Sequence, residues 1–209
     1  MVHGETGLLA PTVGPALSGA VDALARLLPD NQYHLPLAQR TAIDVAALAD
    51  GLLRLAADPA LRARLGGAAR TRVEERFTWA AVVKAHLSLW DELWRQPVAV
   101  GPNTAHPLHL DFARTFAAHP TRAGLSGLPL TCSRAGEACR RGQEHPLIYA
   151  GVAHLVTPER LRAALVLARN PVDGGELAAR LAAAQPGLDA ESAEACVLWA
   201  YKHGFLERA

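Results

Sequence analysis

Aromatic side chains are scarce in this chain: Phe, Trp and Tyr make up 5% of its 209 residues, although half of all residues are hydrophobic. The apolar content is carried by Ala and Leu, and such strong helix formers lean the composition towards helix. Excess charge of either sign is lacking too. A formal net charge of +1 gives no bulk electrostatic case for nucleic acid or an anionic membrane, while leaving local basic patches open. Cysteine is limited to Cys132, Cys139 and Cys196, an odd number that cannot all pair within one chain. No apolar run approaches a bilayer span, because Arg, Asp or His interrupts each one. The amino terminus lacks the basic start and apolar core of a signal peptide. These absences point to a soluble protein in a reducing cytoplasm, with no cofactor expected. The length allows one ordinary domain or two small ones.

The segments that are present read mostly as helix. Gly4 to Gly7 forms a turn in which Gly7 is free to take a positive φ, and Leu8-Leu9-Ala10 reads as a short buried strand ended by Pro11. Pro15 to Leu28 carries Leu17, Val21, Leu24, Leu27 and Leu28 at helical spacing, and Pro29-Asp30-Asn31 breaks it. Asn31 to Thr41 reads as irregular. Asp44 then caps a helix with Val45, Leu48, Ala49, Leu52 and Ala56 on one face. Asp58-Pro59 stops that helix and starts another, with Asp58 as N-cap and Pro59 at the first helical position. Here Leu61, Leu65, Ala69 and Val73 turn inward while Arg62, Arg64, Arg70 and Arg72 face water. The pair Gly66-Gly67 weakens this helix by roughly 1 kcal/mol per glycine relative to alanine, which suits a bend or a close contact. Thr78 caps a last helix on which Trp79, Val82, Val83, His86, Leu89, Trp90 and Leu93 form one apolar stripe. Burying that stripe is worth on the order of 10 kcal/mol gross, so it calls for a partner surface.

The ordered set Gly4 to Leu9, Asp44 to Ala49, Leu61 to Gly66, Ala69 to Phe77 and the helix led by Trp79 resembles the closing elements of the nucleotide-sugar lobe in family-4 type retaining glycosyltransferases. The resemblance covers about the first 95 residues. It implies an origin in a fold of two Rossmann-like lobes with the donor between them, and transfer of a sugar from a nucleotide-sugar to a glycan or lipid-linked acceptor with retained anomeric configuration. In that family the paired glutamates and the basic residues on the diphosphate precede the matched turn, so the expectation is that they lie upstream of this chain. No catalytic residue is therefore assigned, the donor-binding residues are unknown, and Glu5 reads as a solvated turn residue. Thr12 to Ile43 is longer than the family's usual connection. The Trp79 to Leu93 stripe is then expected to meet an upstream partner chain, or a second copy through Trp79, Val83 and Trp90. A peripheral membrane contact stays open for the full enzyme.

Pro97 to Pro107, with Gly101, Pro102 and Asn103, reads as a linker, and His109 to Ala118 as a short amphipathic run with Leu110, Phe112, Ala113 and Phe116. Gly124 to Pro146 reads as loop or disorder. Cys132, Cys139 and His145 raise a metal reading, with His154 as a distant fourth ligand, but the cysteine gap is too long for a knuckle. Unpaired loop thiols are the alternative, and no metal site is assigned. His86 on its apolar face reads as a core or interface histidine.

In the tail, Thr157-Pro158 starts a helix bearing Leu161, Ala164, Leu165 and Ala168. Asp173-Gly174-Gly175 precedes a second over Glu176 to Ala184, and Asp189 caps a third bearing Ala193, Cys196, Val197, Ala200 and Tyr201. His203-Gly204 ends it before an extended Phe205-Leu206-Glu207. These helices resemble a winged-helix core without a complete wing. Glu191 and Glu194 at the start of the third helix, with only Lys202 near its end, are the wrong charge for facing phosphates, and no nucleic acid is expected.

The expected architecture is therefore mostly α with a minor α/β element: a truncated Rossmann-like lobe over 1–96, a linker and irregular segment over 97–156, and a small winged-helix-like three-helix module over 157–209. The leading reading is a glycosyltransferase fragment, inactive alone. The others are a non-catalytic interaction or regulatory module and a DNA-binding protein.

Overall fold

The computed structural model of the chain describes residues 1–16, 19–24, 30–97 and 112–209. Leu17, Leu27, Leu28 and Pro29, the linker residues Gly101 to Pro107, and His109 and Leu110 lie outside them. In chain order the elements are β1 (Thr12–Gly14), α1 (Gly19–Leu24), α2 (Asp30–Gln39), β2 (Ala42–Ile43), α3 (Val45–Ala57), α4 (Pro59–Arg76), α5 (Trp79–Arg95) and α6 (Phe112–Thr115). There follow β3 (Arg122–Ala123), β4 (Pro129–Cys132), α7 (Arg134–Arg140), a 3-10 turn (Ala150–Val152), α8 (Pro158–Leu167), β5 (Val172–Asp173), α9 (Gly174–Ala184), α10 (Ala190–Lys202) and β6 (Leu206–Arg208). The chain is thus mostly helical with small sheets, as its composition suggests. Two compact units result: Met1–Ala10 with Val45–Pro107, and Pro11–Asp44 with Leu108–Ala209. That division cuts across the expected 1–96, 97–156 and 157–209 partition, because Pro11–Asp44 joins the carboxy-terminal unit.

In the first unit, the Gly4 N–H donates to the Gly7 carbonyl at 2.8 Å. The left-handed residue of this turn is Gly4 (φ 77°), not Gly7. Leu8-Leu9-Ala10 forms no strand. It lies along α3, where it shares a shallow groove with Ala47, Leu48, Gly51, Leu52 and Leu55. The strand begins only beyond Pro11, where Thr12 and buried Val13 supply β-branched side chains. Both expected helix starts downstream form. The Asp58 carboxylate accepts from the Leu61 N–H at 2.9 Å with Pro59 in the first turn, and the Thr78 hydroxyl accepts from the Ala81 N–H. The inward faces are another matter. Among the described residues of this unit Leu65 alone is buried, while Leu48, Leu52, Val73 and Phe77 are exposed. Helix α4 runs through Gly66-Gly67, and a methyl group at either position would meet open space, so no close contact explains them.

The second unit holds the core. Val13, Ala42, Leu125, Leu128 and Leu130 pack with Leu161, Leu165, Leu177, Leu181, Val197, Leu198, Trp199 and Leu206. One sheet has the order β2-β1-β3, with β2 antiparallel and β3 parallel to the central β1. The other has the order β5-β4-β6, with both neighbours antiparallel to β4; Leu130 pairs with Val172 on one side and Arg208 on the other.

Two segments read as irregular are ordered here. Asp30–Gln39 is helical despite Pro36, and buried Pro36, Leu37 and Arg40 anchor its end. Gly124 to Pro146 contains β4 and α7, where Ser133 caps α7 by accepting from the Gly136 N–H at 3.0 Å. Leu125, Leu128 and Leu130, spaced too loosely to declare a period, are all buried. Tertiary packing decides both segments, against weak local signals.

The three tail helices are capped as their sequences require. Thr157 accepts from the Arg160 N–H at 3.2 Å, Asp173 from the Gly175 and Glu176 N–H groups, and Asp189 from the Ser192 N–H at 2.7 Å. Asp173 caps α9 directly, so this helix starts at Gly174 rather than Glu176. Helix α10 closes in a Schellman turn: Gly204 (φ 75°) donates to the Tyr201 carbonyl and Phe205 to the Ala200 carbonyl.

Candidate interaction surface

Helix α5 carries a broad exposed apolar surface. Along its 17 residues, at 100° per residue, Leu89, Val82, Leu93, His86, Trp79, Trp90, Val83, Trp94 and Leu87 occupy one continuous arc of about 160°. None of the helix is buried. Trp79 is 85% exposed and Trp94 91%, with Trp90, Leu87, Val83, Leu93 and Leu89 between 49 and 61%. An arc wider than the roughly 100° typical of a surface helix is expected to lie against a body, not in water. His86 sits within it, exposed, its ring meeting Trp90 edge-on at 6.3 Å. Beyond the Leu87 edge of the arc stand Asp91, Lys84 and Arg95, with Arg95 paired to Asp91 across one turn.

Four of the five arginines on α4 are engaged within their own unit. Arg62 donates to the Leu55 and Ala56 carbonyls at the end of α3, Arg64 to the Gly4 carbonyl, and Arg70 to Glu74, while Arg72 stacks over Phe77. Glu5 lies exposed in the first turn.

Helix α10 presents the opposite case. Every residue from Ala193 to Tyr201 is buried. Its two early glutamates are engaged: Glu191 pairs at 2.8 Å with Arg40, which is 2% exposed, and Glu194 accepts from the Ala16 N–H. At its far end the Lys202 ammonium donates to the Ala38 and Thr41 carbonyls at 2.9 and 2.7 Å, and burial lowers its pKa. His203, beside Gln39, is likewise held below its ordinary pKa by burial and by Lys202. Arg40 was not legible as an anchor from sequence, since its partner Glu191 lies more than a hundred residues away.

The thiols are free. Cys139 and Cys196 are buried, Cys132 partly so, and desolvation raises the pKa of all three, pushing Cys196 up to about 12. His145 and His154 are exposed. Among the described residues no three His, Cys, Asp or Glu side chains converge as metal ligands, and no helix is long and apolar enough to cross a membrane.

The second unit also holds a cleft of about 290 Å³ lined by Phe112, Phe116, His119, Pro120, Pro15 and Thr41 among others. Its wall is a ring stack, with Phe112 and Phe116 centroids 4.7 Å apart and His119 edge-on to Phe116 at 5.0 Å. Thr12 and Thr121 tie its rim by reciprocal hydrogen bonds of 3.1 Å. Among the described residues its lining carries no carboxylate, thiol or amine; its polar side chains are the Thr12 and Thr41 hydroxyls and the His119 imidazole.

No protein-family model, curated protein or solved structure matches this chain.

Proposed function

We propose that this chain is the carboxy-terminal part of a family-4 type retaining glycosyltransferase, carrying the closing helices of its nucleotide-sugar lobe and a small winged-helix-like module. The whole enzyme moves a sugar from a nucleotide-sugar to a glycan or lipid-linked acceptor; this part supplies no catalytic group and turns over no donor alone. The observation that carries the reading is the first unit. Its helices stand in the family's order, with the Asp58-Pro59 and Thr78-Trp79 starts formed, yet only Leu65 is buried among its described residues. Helices with good caps and almost no core of their own owe their stability to packing on something else. For the tail, the order helix, strand, helix, helix, strand over α8 to β6 favours a winged-helix-like module. The enclosure of α10 argues for a packing role, because a recognition helix needs a free face to enter a groove.

A second reading, a non-catalytic protein-interaction module, is favoured by the same α5 surface. One experiment separates them. An antibody to the chain, applied to native extract, is expected to detect a polypeptide larger than 22.2 kDa or to co-isolate one that binds nucleotide-sugars. A native species of 22.2 kDa alone would leave the interaction module standing. Turnover of an activated sugar by the purified chain would refute the claim that it lacks the chemistry.

A further inference from the structure

The exposed arc of α5 contains a regular seam. Val83, Leu87, Trp90 and Trp94 follow one another at intervals of four, three and four residues, the heptad spacing at which two helices pack knobs into holes. They include the 91%-exposed Trp94 and are all at least half exposed. On one side of the seam stand Lys84 and Asp91, each one residue beyond a seam position; on the other stand His86 and Leu93, each one residue before. One flank carries charges of opposite sign at its two ends, and the other a histidine and a leucine.

We propose that this face pairs with the same face of a second copy of the chain, antiparallel, about a two-fold axis. This inference does not rest on the glycosyltransferase reading, which would give the same face to the rest of the lobe; it needs only the α5 surface. In the antiparallel arrangement Val83 meets Trp94 of the second copy and Leu87 meets its Trp90. Like flanks then face each other: Lys84 lies opposite Asp91 of the second copy, twice by symmetry, each Asp91 keeping its own Arg95 on the outer side, and His86 lies opposite its Leu93. A parallel pair would instead set the charged flank of each helix against the His86 and Leu93 flank of the other, so charge selects the orientation. The area is also adequate. At roughly 200–250 Å² per tryptophan, the exposed parts of Trp79, Trp90 and Trp94 offer about 500 Å² per copy. The exposed leucines and Val83 bring this close to the roughly 800 Å² per partner of a standard interface.

The test is sedimentation equilibrium on the whole chain and its variants, with far-UV circular dichroism to check that helix content is kept. The expected species has twice the 22.2 kDa chain mass. Trp90→Ala is expected to weaken it by at least roughly 30-fold, as for a central interface anchor. Lys84→Glu or Asp91→Lys alone should weaken it about tenfold, through two symmetry-related pairs, and the double variant Lys84→Glu/Asp91→Lys should recover most of the loss. If Trp90→Ala unfolds α5, the charge-exchange variants alone decide between pairing and its absence. A monomeric wild-type chain, which would leave the face to a different body, overturns the proposal. So does a larger assembly, or a dimer indifferent to the charge exchange.

Discussion

Replacing Gly136 with alanine is the sharpest test of how the second unit is joined. A β-carbon there would lie 2.0 Å from the Phe205 carbonyl oxygen, 2.9 Å from Cys132 Sγ and 3.0 Å from Leu165 Cδ2. The oxygen cannot simply retreat, because it accepts the Ser133 N–H at 3.1 Å and β6 begins at the next residue. Relief requires breaking that bond, about 1 kcal/mol, and displacing packed groups, about 1–3 kcal/mol. A total near 3 kcal/mol corresponds to a fall in melting temperature of about 10 °C for a unit of this size. Hydrogen exchange read by mass spectrometry should localise the loss to α7 and β6. The companion variants Gly66→Ala and Gly67→Ala have open space around the new methyl, so each should stabilise α4 by up to about 1 kcal/mol and slow exchange there. A Gly136→Ala protein that melts within a degree or two of wild type, with Leu206–Arg208 still protected, would refute the tight junction.

Two further outcomes are expected. In the native chain at neutral pH, a thiol-specific disulfide reagent should leave Cys196 untouched and reach Cys132 first, with all three thiols reacting after denaturation; rapid titration of three native thiols would contradict the burial described. Hydrogen bonding to Arg140, and secondarily to Arg141, holds the Glu137 carboxyl at about 2 against an ordinary value of 4.5. A depressed folded-state pKa stabilises above the ordinary value and is lost on acidification, so α7 should loosen as pH falls from 4.5 to 2; a helix that instead loosens as pH rises through that window would reverse the sign.

What was legible in the sequence was local chemistry. Asp58, Thr78, Thr157 and Asp189 announced helix starts because a cap acts on an N–H two or three residues away. The buried set Leu161, Ala164 and Leu165 followed from helical period alone. The α2 helix, the β4–α7 segment and the Arg40 anchor were illegible for the converse reason: their determinants are groups distant along the chain, such as Phe205 for Ser133 and Glu191 for Arg40. Leu8-Leu9-Ala10 misled because three apolar residues suit a groove beside α3 as well as a strand. As for the candidate surface, the α5 stripe was plain in the sequence, whereas the enclosure of α10 needed the fold.

The path of the chain between its units bears on how it can be made. Pro11–Asp44 leaves the ribosome before the rest of the body it joins, which includes strand β6, three residues long and far downstream. That strand lies against β4, and Arg208 reaches Asp44. At 5–20 residues per second, the early segment therefore waits many seconds for its neighbours while α3, α4 and α5 emerge in between. A chain stopped before Leu206 should leave Pro11–Asp44 in a body without its β6 strand, and no single cut can release either body whole.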